Sequence, residues 1–316
     1  MKIGLPQLDK QYDIVYHTKT IWELCYIMSR KIWITAAFTF FGHMAIAQPV
    51  LHAVGLENQY ANVLEQIGGP YVAVSAIQSN PNTDPHEFEA TPSIAKIFHQ
   101  ADLVVENGLG YDSWASQMLA GTHATVISAQ KLLNLKDSTP NPHLWYRTDT
   151  MPAVAAAAAA FFEQKDPAHK AEYQANLEKF DASLQPWKQE ITKVKAKFAG
   201  APVAVTEPVA DYLLEETGLK ILTPFSFESA IMNDTDPAPQ DVAIEEGLLR
   251  NKKVRLFAYN EQVTDPQTQT LLDIAKHHNI QIVPVYELMP LTVKNYQDWM
   301  LKATQSLYTA LEASEK

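Results

Sequence analysis

The 316 residues include one cysteine, Cys25, and it lies ahead of a segment that reads as a cleavable leader. The exported chain would hold no disulfide and no thiolate for a soft-metal centre. Positive charge is also scarce: 25 Lys and Arg against 36 Asp and Glu leave a formal net charge of −11. That balance argues against nucleic acid as the main partner. It suits a soluble protein whose ligand is a cation. The apolar segment Ile32 to Phe41 is too short to span a bilayer as a helix. Neither H-E-x-x-H nor G-x-S-x-G occurs, so the usual zinc-protease and serine-hydrolase signatures are missing.

What is present begins with a leader. Ser29-Arg30-Lys31 is a small basic region, Ile32 to Phe41 an apolar core, and Ala45-Ile46-Ala47 supplies small residues for cleavage. This pattern predicts a secretory signal peptide cut after Ala47. Met28 could serve as the start, which sets residues 1–27 apart; the competing reading is an N-terminal buried helix. Cys25 does not follow the apolar segment, so a lipid-anchored cysteine at the mature terminus is not expected. The remaining length is enough for two lobes, each with a core.

Short apolar runs then alternate with helical patterns. Strands are expected at Val50–Val54, Val72–Ile77, Leu103–Val105 and Ala124–Ile127, with helices between them. From Met151 to Phe198 no strand signal appears; Tyr173, Leu177, Phe180, Leu184 and Trp187 recur at three- and four-residue steps, as a packing stripe does. Alternation resumes with strands at Pro202–Val205, Lys220–Leu222, Val254–Tyr259 and Gln281–Val285. The expected fold is α/β: two doubly wound lobes with mainly parallel sheets, joined by a long connecting helix. The expected boundaries are 1–47 extension and signal peptide, 48–150 first lobe, 151–198 connecting segment and 199–316 second lobe.

Ligands of open parallel sheets gather outside the carboxyl ends of the strands. His86, His143, Glu207 and Glu287 each follow such an end, two from each half. Two imidazoles and two carboxylates suit one divalent transition ion, zinc or manganese, in a cleft between lobes. The proline before each histidine restricts its backbone. A glutamate after a strand is commonplace, and Glu207 could equally be a helix N-terminal acid. Asp84 and Asp149 could orient the histidines. His52 reads as packed or hydrogen-bonded, His277 and His278 as surface; His99, His123 and His169 have no partners in sequence that favour a site.

These motifs resemble, in order, the manganese/zinc-type metal-binding proteins of bacterial ABC importers. The resemblance rests on Asp84-Pro85-His86-Glu87-Phe88-Glu89, on Asn107-Gly108-Leu109-Gly110-Tyr111-Asp112-Ser113-Trp114 and on Asn141-Pro142-His143-Leu144-Trp145. It continues through Thr206-Glu207, Asp236-Pro237-Ala238-Pro239, Tyr259-Asn260-Glu261-Gln262 and Tyr286-Glu287-Leu288-Met289-Pro290. It implies two lobes holding one ion, with His86 and His143 as the first two ligands. Glu207 stands where zinc-type members often carry a third histidine. Glu287 aligns with the fourth ligand, with Asp265 or Asp241 as substitutes. The His- and acid-rich loop of many zinc members is absent. A carboxylate in place of an imidazole leans towards Mn²⁺, while Zn²⁺ binds such sets more tightly by intrinsic order; both stay open.

The expectation is a periplasmic, monomeric, non-enzymatic binding protein that delivers its metal to an ABC permease. A secreted metallohydrolase, or a binding protein for a chelated or organic ligand on the same scaffold, is the alternative. The first needs an open coordination position and a general base; the second needs an aromatic- or Arg-lined cleft.

Overall fold

The computed structural model describes residues 51–80, 88, 90–263 and 265–315. The leader with Cys25, the cut after Ala47, Asp84 and His86 lie outside the described residues. Among the described residues, two four-stranded sheets carry the chain. The first contains β1 (Leu51–Glu57), β2 (Val72–Gln78), β3 (Leu103–Glu106) and β4 (Thr125–Ser128), in the order β2-β1-β3-β4. The second contains β5 (Pro202–Val205), β6 (Lys220–Ile221), β7 (Leu256–Asn260) and β8 (Gln281–Val285), in the order β6-β5-β7-β8. Every pairing is parallel. The two sheets thus repeat one winding.

The central strands are apolar on both faces because helices cover both. Leu103, Val104 and Val105 are buried, as are Val203, Ala204 and Val205. Gly55 in β1 is required by a close approach: a Cβ there would lie 2.2 Å from the backbone nitrogen of Ala61, in the helix Asn58–Gly68 that folds back over the strand.

In each sheet the winding reverses between two central strands, β1 and β3 in the first and β5 and β7 in the second. A crevice opens at the carboxyl ends of such a pair. The segments leaving those ends carry Glu57-Asn58-Gln59, Glu106-Asn107, Thr206-Glu207 and Asn260-Glu261-Gln262.

The connecting segment is helical throughout but interrupted twice. Its helices are Thr150–Lys165, Lys170–Ser183 and Gln185–Phe198. Asp166-Pro167 turns the chain at the first break; at the second only Leu184 intervenes, and Pro186 occupies the first turn of the next helix. Tyr173, Phe180, Leu184 and Trp187 are buried, so the stripe packs.

One continuous apolar cluster runs from Leu51 and Tyr60 through Trp145, Phe162 and Trp187 to Val203, Leu256 and Leu307. The two sheets therefore share an inner core, where composition suggested a core for each lobe. The reason lies in the helices. Asn58–Gly68 packs on Thr150–Lys165 and Lys170–Ser183, and the last helix, Tyr296–Ala313, packs on Gln185–Phe198 and β8. Smaller clusters, around Phe98 and Val104 and around Phe227 and Phe257, lie outside it. One helix of the second half, Phe225–Met232, had no signal in the sequence; it buries Phe227 and Ile231, one turn apart.

Candidate metal centre

The site begins with Asn141. Its side-chain nitrogen donates to the carbonyl of Pro208 at 2.7 Å, so its oxygen faces the other way. That oxygen accepts from the backbone nitrogen of His143 at 2.9 Å and stands 2.9 Å from His143 Nδ1. A carbonyl oxygen only accepts, so Nδ1 carries the proton. In the neutral ring Nε2 then bears the lone pair, the form in which imidazole binds a metal. The Asn141 contact also ties the His143 loop of the first half to the residue after Glu207 in the second. Asn107 supports the same loop, donating to the Pro142 carbonyl at 2.8 Å while it accepts from the Tyr60 hydroxyl at 2.7 Å.

Across the seam, His143 Nε2 faces Glu287 Oε2 at 3.7 Å, and both side chains are fully buried. Glu287 Oε2 also accepts the Tyr111 hydroxyl at 2.8 Å. Burial, and next the charge of Glu287, hold the Tyr111 hydroxyl well above the ordinary phenol range, so it stays protonated and donates. Tyr111 is aimed by an unusual turn: Gly108, Leu109 and Gly110 all have positive φ. Leu109 occupies a region that disfavours side chains. Its backbone nitrogen donates to Gln130 Oε1 at 2.8 Å and that of Gly108 to Asp112 Oδ2 at 2.7 Å, which hold the turn. Beneath it, burial pushes Glu57 well above the usual carboxylate range, and the adjacent charge of Asp112 adds to that.

Glu207 and Glu287 meet at Asn260. Its nitrogen donates to Oε1 of each carboxylate at 2.8 Å. Its oxygen accepts the backbone nitrogen of Gln262 at 3.0 Å, which fixes the amide's orientation. The Glu287 backbone is in turn held from both halves. Gln262 Oε1 accepts from the nitrogens of Glu287 and Leu288, and Gln59 donates to the Glu287 carbonyl at 3.0 Å. Asn58 exchanges two hydrogen bonds with the backbone of Met289, at 2.9 and 2.8 Å.

The structure thus brings His143, Glu207 and Glu287 to one buried seam. His86, the remaining expected ligand, lies outside the described residues. Among the described residues no group of three or more His, Cys, Asp or Glu side chains closes into a metal cage. The substitutes are engaged elsewhere: Asp265 caps the helix Pro266–His277, and Asp241 accepts the Ser226 hydroxyl at 2.6 Å. Asp149 pairs with Arg147 rather than with a histidine. His52, His99, His123 and His277 are exposed, and His278 stacks edge-on to His277. His169 stacks on Tyr71 and contacts Asp166 at 2.6 Å. The uncharged residues that organise the seam, Tyr111, Asn141, Asn260, Gln59 and Gln262, carried no ligand chemistry in the sequence; all but Gln59 fall within the motifs that carry the family resemblance, which gave them no role of their own.

Comparison with known proteins bears on the family and the fold. The profile of the ZnuA family, described as zinc-uptake complex component A, periplasmic, matches residues 57–310. A putative metal-binding protein of Thermotoga maritima is 26% identical over 167 residues, covering 52% of this chain and 61% of that protein. The manganese ABC transporter substrate-binding lipoprotein PsaA of Streptococcus anginosus is 23% identical over 241 residues, covering 70% of this chain and 75% of its own. Among solved structures, the periplasmic zinc binding protein TroA of Treponema pallidum superposes with a TM-score of 0.70 at 14% identity, over 83% of this chain and 99% of that one. That likeness is one of fold. The family match runs from the end of β1 into the last helix and takes in both sheets, and on that ground the chain belongs to the ZnuA family of periplasmic zinc-uptake components.

Proposed function

We propose that this chain captures one divalent transition metal, zinc or manganese, at the seam between its sheets and delivers it to the membrane permease of an ABC importer. It catalyses no reaction in this role. His86, His143, Glu207 and Glu287 are the ligands. The observation that carries the reading is the 3.7 Å approach of His143 Nε2 to Glu287 Oε2 within a fully buried seam. Asn141 holds the ring so that its lone pair points at the carboxylate, and two electron-pair donors in that position are stabilised by a shared cation. Relatives named for zinc uptake and for manganese transport support the same class of cargo.

The ties across the seam argue for small lobe movements during capture and release. Tyr111 to Glu287, Asn141 to Pro208 and Gln59 to Glu287 would all have to break for wide opening. The protein acts as a monomer after export to the periplasm, with residues 1–47 removed at Ala47 and the rest divided at about 150 and 198 into lobe, connector and lobe. Titration of the mature protein with Mn²⁺ and Zn²⁺ tests the reading. One strong site is expected, lost in the double variant His86→Ala, His143→Ala; unchanged affinity in that variant would place the site elsewhere. Light scattering and mass spectrometry of the exported protein report the monomer and the cut.

A further inference from the structure

Under the turn that carries Tyr111, two carboxyl groups pack against each other. Glu57 ends β1 and Asp112 follows Tyr111; both are buried. Their side chains face each other as hydrogen-bond partners. Among the described residues, no other residue donates to either oxygen of Glu57 or to Oδ1 of Asp112. Two carboxylates only accept, so the bond between them requires a proton. The surroundings decide which group holds it. Asp112 Oδ2 accepts the backbone nitrogen of Gly108 at 2.7 Å, a contact that favours charge on Asp112. Glu57 has no such donor from another residue, so it is the acid and Asp112 the carboxylate. The other titratable groups that face the pair are Glu106, Tyr60 and Tyr111. Glu106, at the end of β3, is half-buried and is eased by the Ser128 hydroxyl and the charge of Lys131. The two phenols stay protonated, because burial raises both. Tyr111 stands against the charges of both Glu57 and Glu287, and so links the pair to the seam.

We infer that Glu57 and Asp112 are positioning residues for metal capture: the proton they share holds the turn over Gly108, Leu109 and Gly110 in place, and through it holds Tyr111 against Glu287 Oε2. The inference rests on the metal-site reading above. Loss of that proton would leave two buried like charges side by side, with a third carboxylate at Glu106. The turn is the part that yields, since its φ angles are all positive and Asp112 is the acceptor that fixes Gly108. A turn that yields carries the Tyr111 hydroxyl away from Glu287. The pair therefore opposes the ordinary trend. Proton loss from ligands strengthens metal binding as pH rises; proton loss from Glu57 weakens it.

The test titrates the purified mature protein with Mn²⁺ and Zn²⁺ against a competing chelator, from about pH 7 to about pH 10, a range that spans the ionisation of buried glutamic acids. The comparison variant is Glu57→Gln, whose amide keeps a donor for Asp112 and cannot ionise. Across this range the affinity of the parent should fall by about 10-fold relative to that of Glu57→Gln, the scale seen for groups that orient ligands. Taking the ratio at each pH cancels hydrolysis of the free metal and the titration of Asp211, Glu228 and Glu245, which both proteins share. Tyr111→Phe should also lose the alkaline fall, because the pair acts through that hydroxyl; this second variant keeps the inference open to test if Glu57→Gln folds poorly. A pH profile parallel to that of the parent, in either variant, would show that the pair serves the fold alone and would overturn the inference. A parent protein that binds neither metal at any pH would overturn the metal-site reading itself, a result distinct from parallel profiles.

Discussion

Tyr111 gives its hydroxyl hydrogen to Glu287 Oε2 at 2.8 Å, although 176 residues separate them in the chain. One comes from the strained turn after β3, the other from the segment after β8. Their bond crosses the seam and touches the oxygen that also faces His143. Removing the hydroxyl with Tyr111→Phe should weaken metal binding by about 10-fold, because the carboxylate loses the donor that aims it. Titration calorimetry checks this, and denaturation of the metal-free variant should show a loss of about 1–3 kcal/mol, because a buried carboxylate oxygen loses a donor.

Asn141 sets which ring nitrogen of His143 carries the proton. In Asn141→Ala the ring can take either tautomer or rotate, and the Pro208 carbonyl loses its donor. Metal affinity should fall by about 10- to 100-fold, while the histidine itself is intact. His143→Ala should remove the strong site altogether. Parallel titrations of both variants separate orientation from ligation; an Asn141→Ala protein with parental affinity would contradict the assignment of the tautomer.

The amide seam predicts a stability effect without a change in ligand chemistry. Gln59 is buried and donates to the Glu287 carbonyl from the other half of the chain. Gln59→Leu leaves that buried carbonyl without this donor and should cost about 1–3 kcal/mol in urea unfolding of the metal-free protein. Saturating metal should recover part of the loss, by mass action on the folded state.

Stability should also depend on pH through the second half. Burial pushes Glu245 up to about 8 from its ordinary 4.5. Between those values the folded chain keeps a proton that the unfolded chain has lost, so stability falls as pH rises and levels off above the folded value. Burial raises Asp211 and Glu228 as well, and both act in the same direction. Glu245→Gln, a neutral side chain of like shape, should match the parent near about pH 5 and exceed it by roughly a few kcal/mol near about pH 9. Urea midpoints across that range read the difference; a parallel profile for parent and variant would rule Glu245 out.

Much of the fold was legible because it obeys local rules. Val-, Ile- and Leu-rich runs bounded by turn residues became parallel strands, and the stripe from Tyr173 to Trp187 became buried packing. The helix Phe225–Met232 was missed because it is short and its apolar positions give little periodicity. Among the site residues, His143, Glu207 and Glu287 carry chemistry in their side chains and could be named from their places after strands. Glu287 had the weakest case on its own. Its place follows from register: Asn260 lies opposite Val285 in the parallel pair β7 and β8, so the next turn of chain brings Glu287 to the Asn260 amide. Tyr111 and Asn260 stood in motifs of the resemblance without a role and Gln59 was not singled out, since neutral donors have meaning only beside the acceptor they meet.

By itself the sequence determined the two alternating halves, the helical connection between them and the kinds of donor that follow their strands. Hydrophobic period and turn chemistry act over a few residues, and that range suffices for such features. Tertiary structure decided which donors share one buried place and how each is turned. Those outcomes depend on the helices that lock both sheets into a single core, and on amides whose orientation is set by partners dozens to hundreds of residues away.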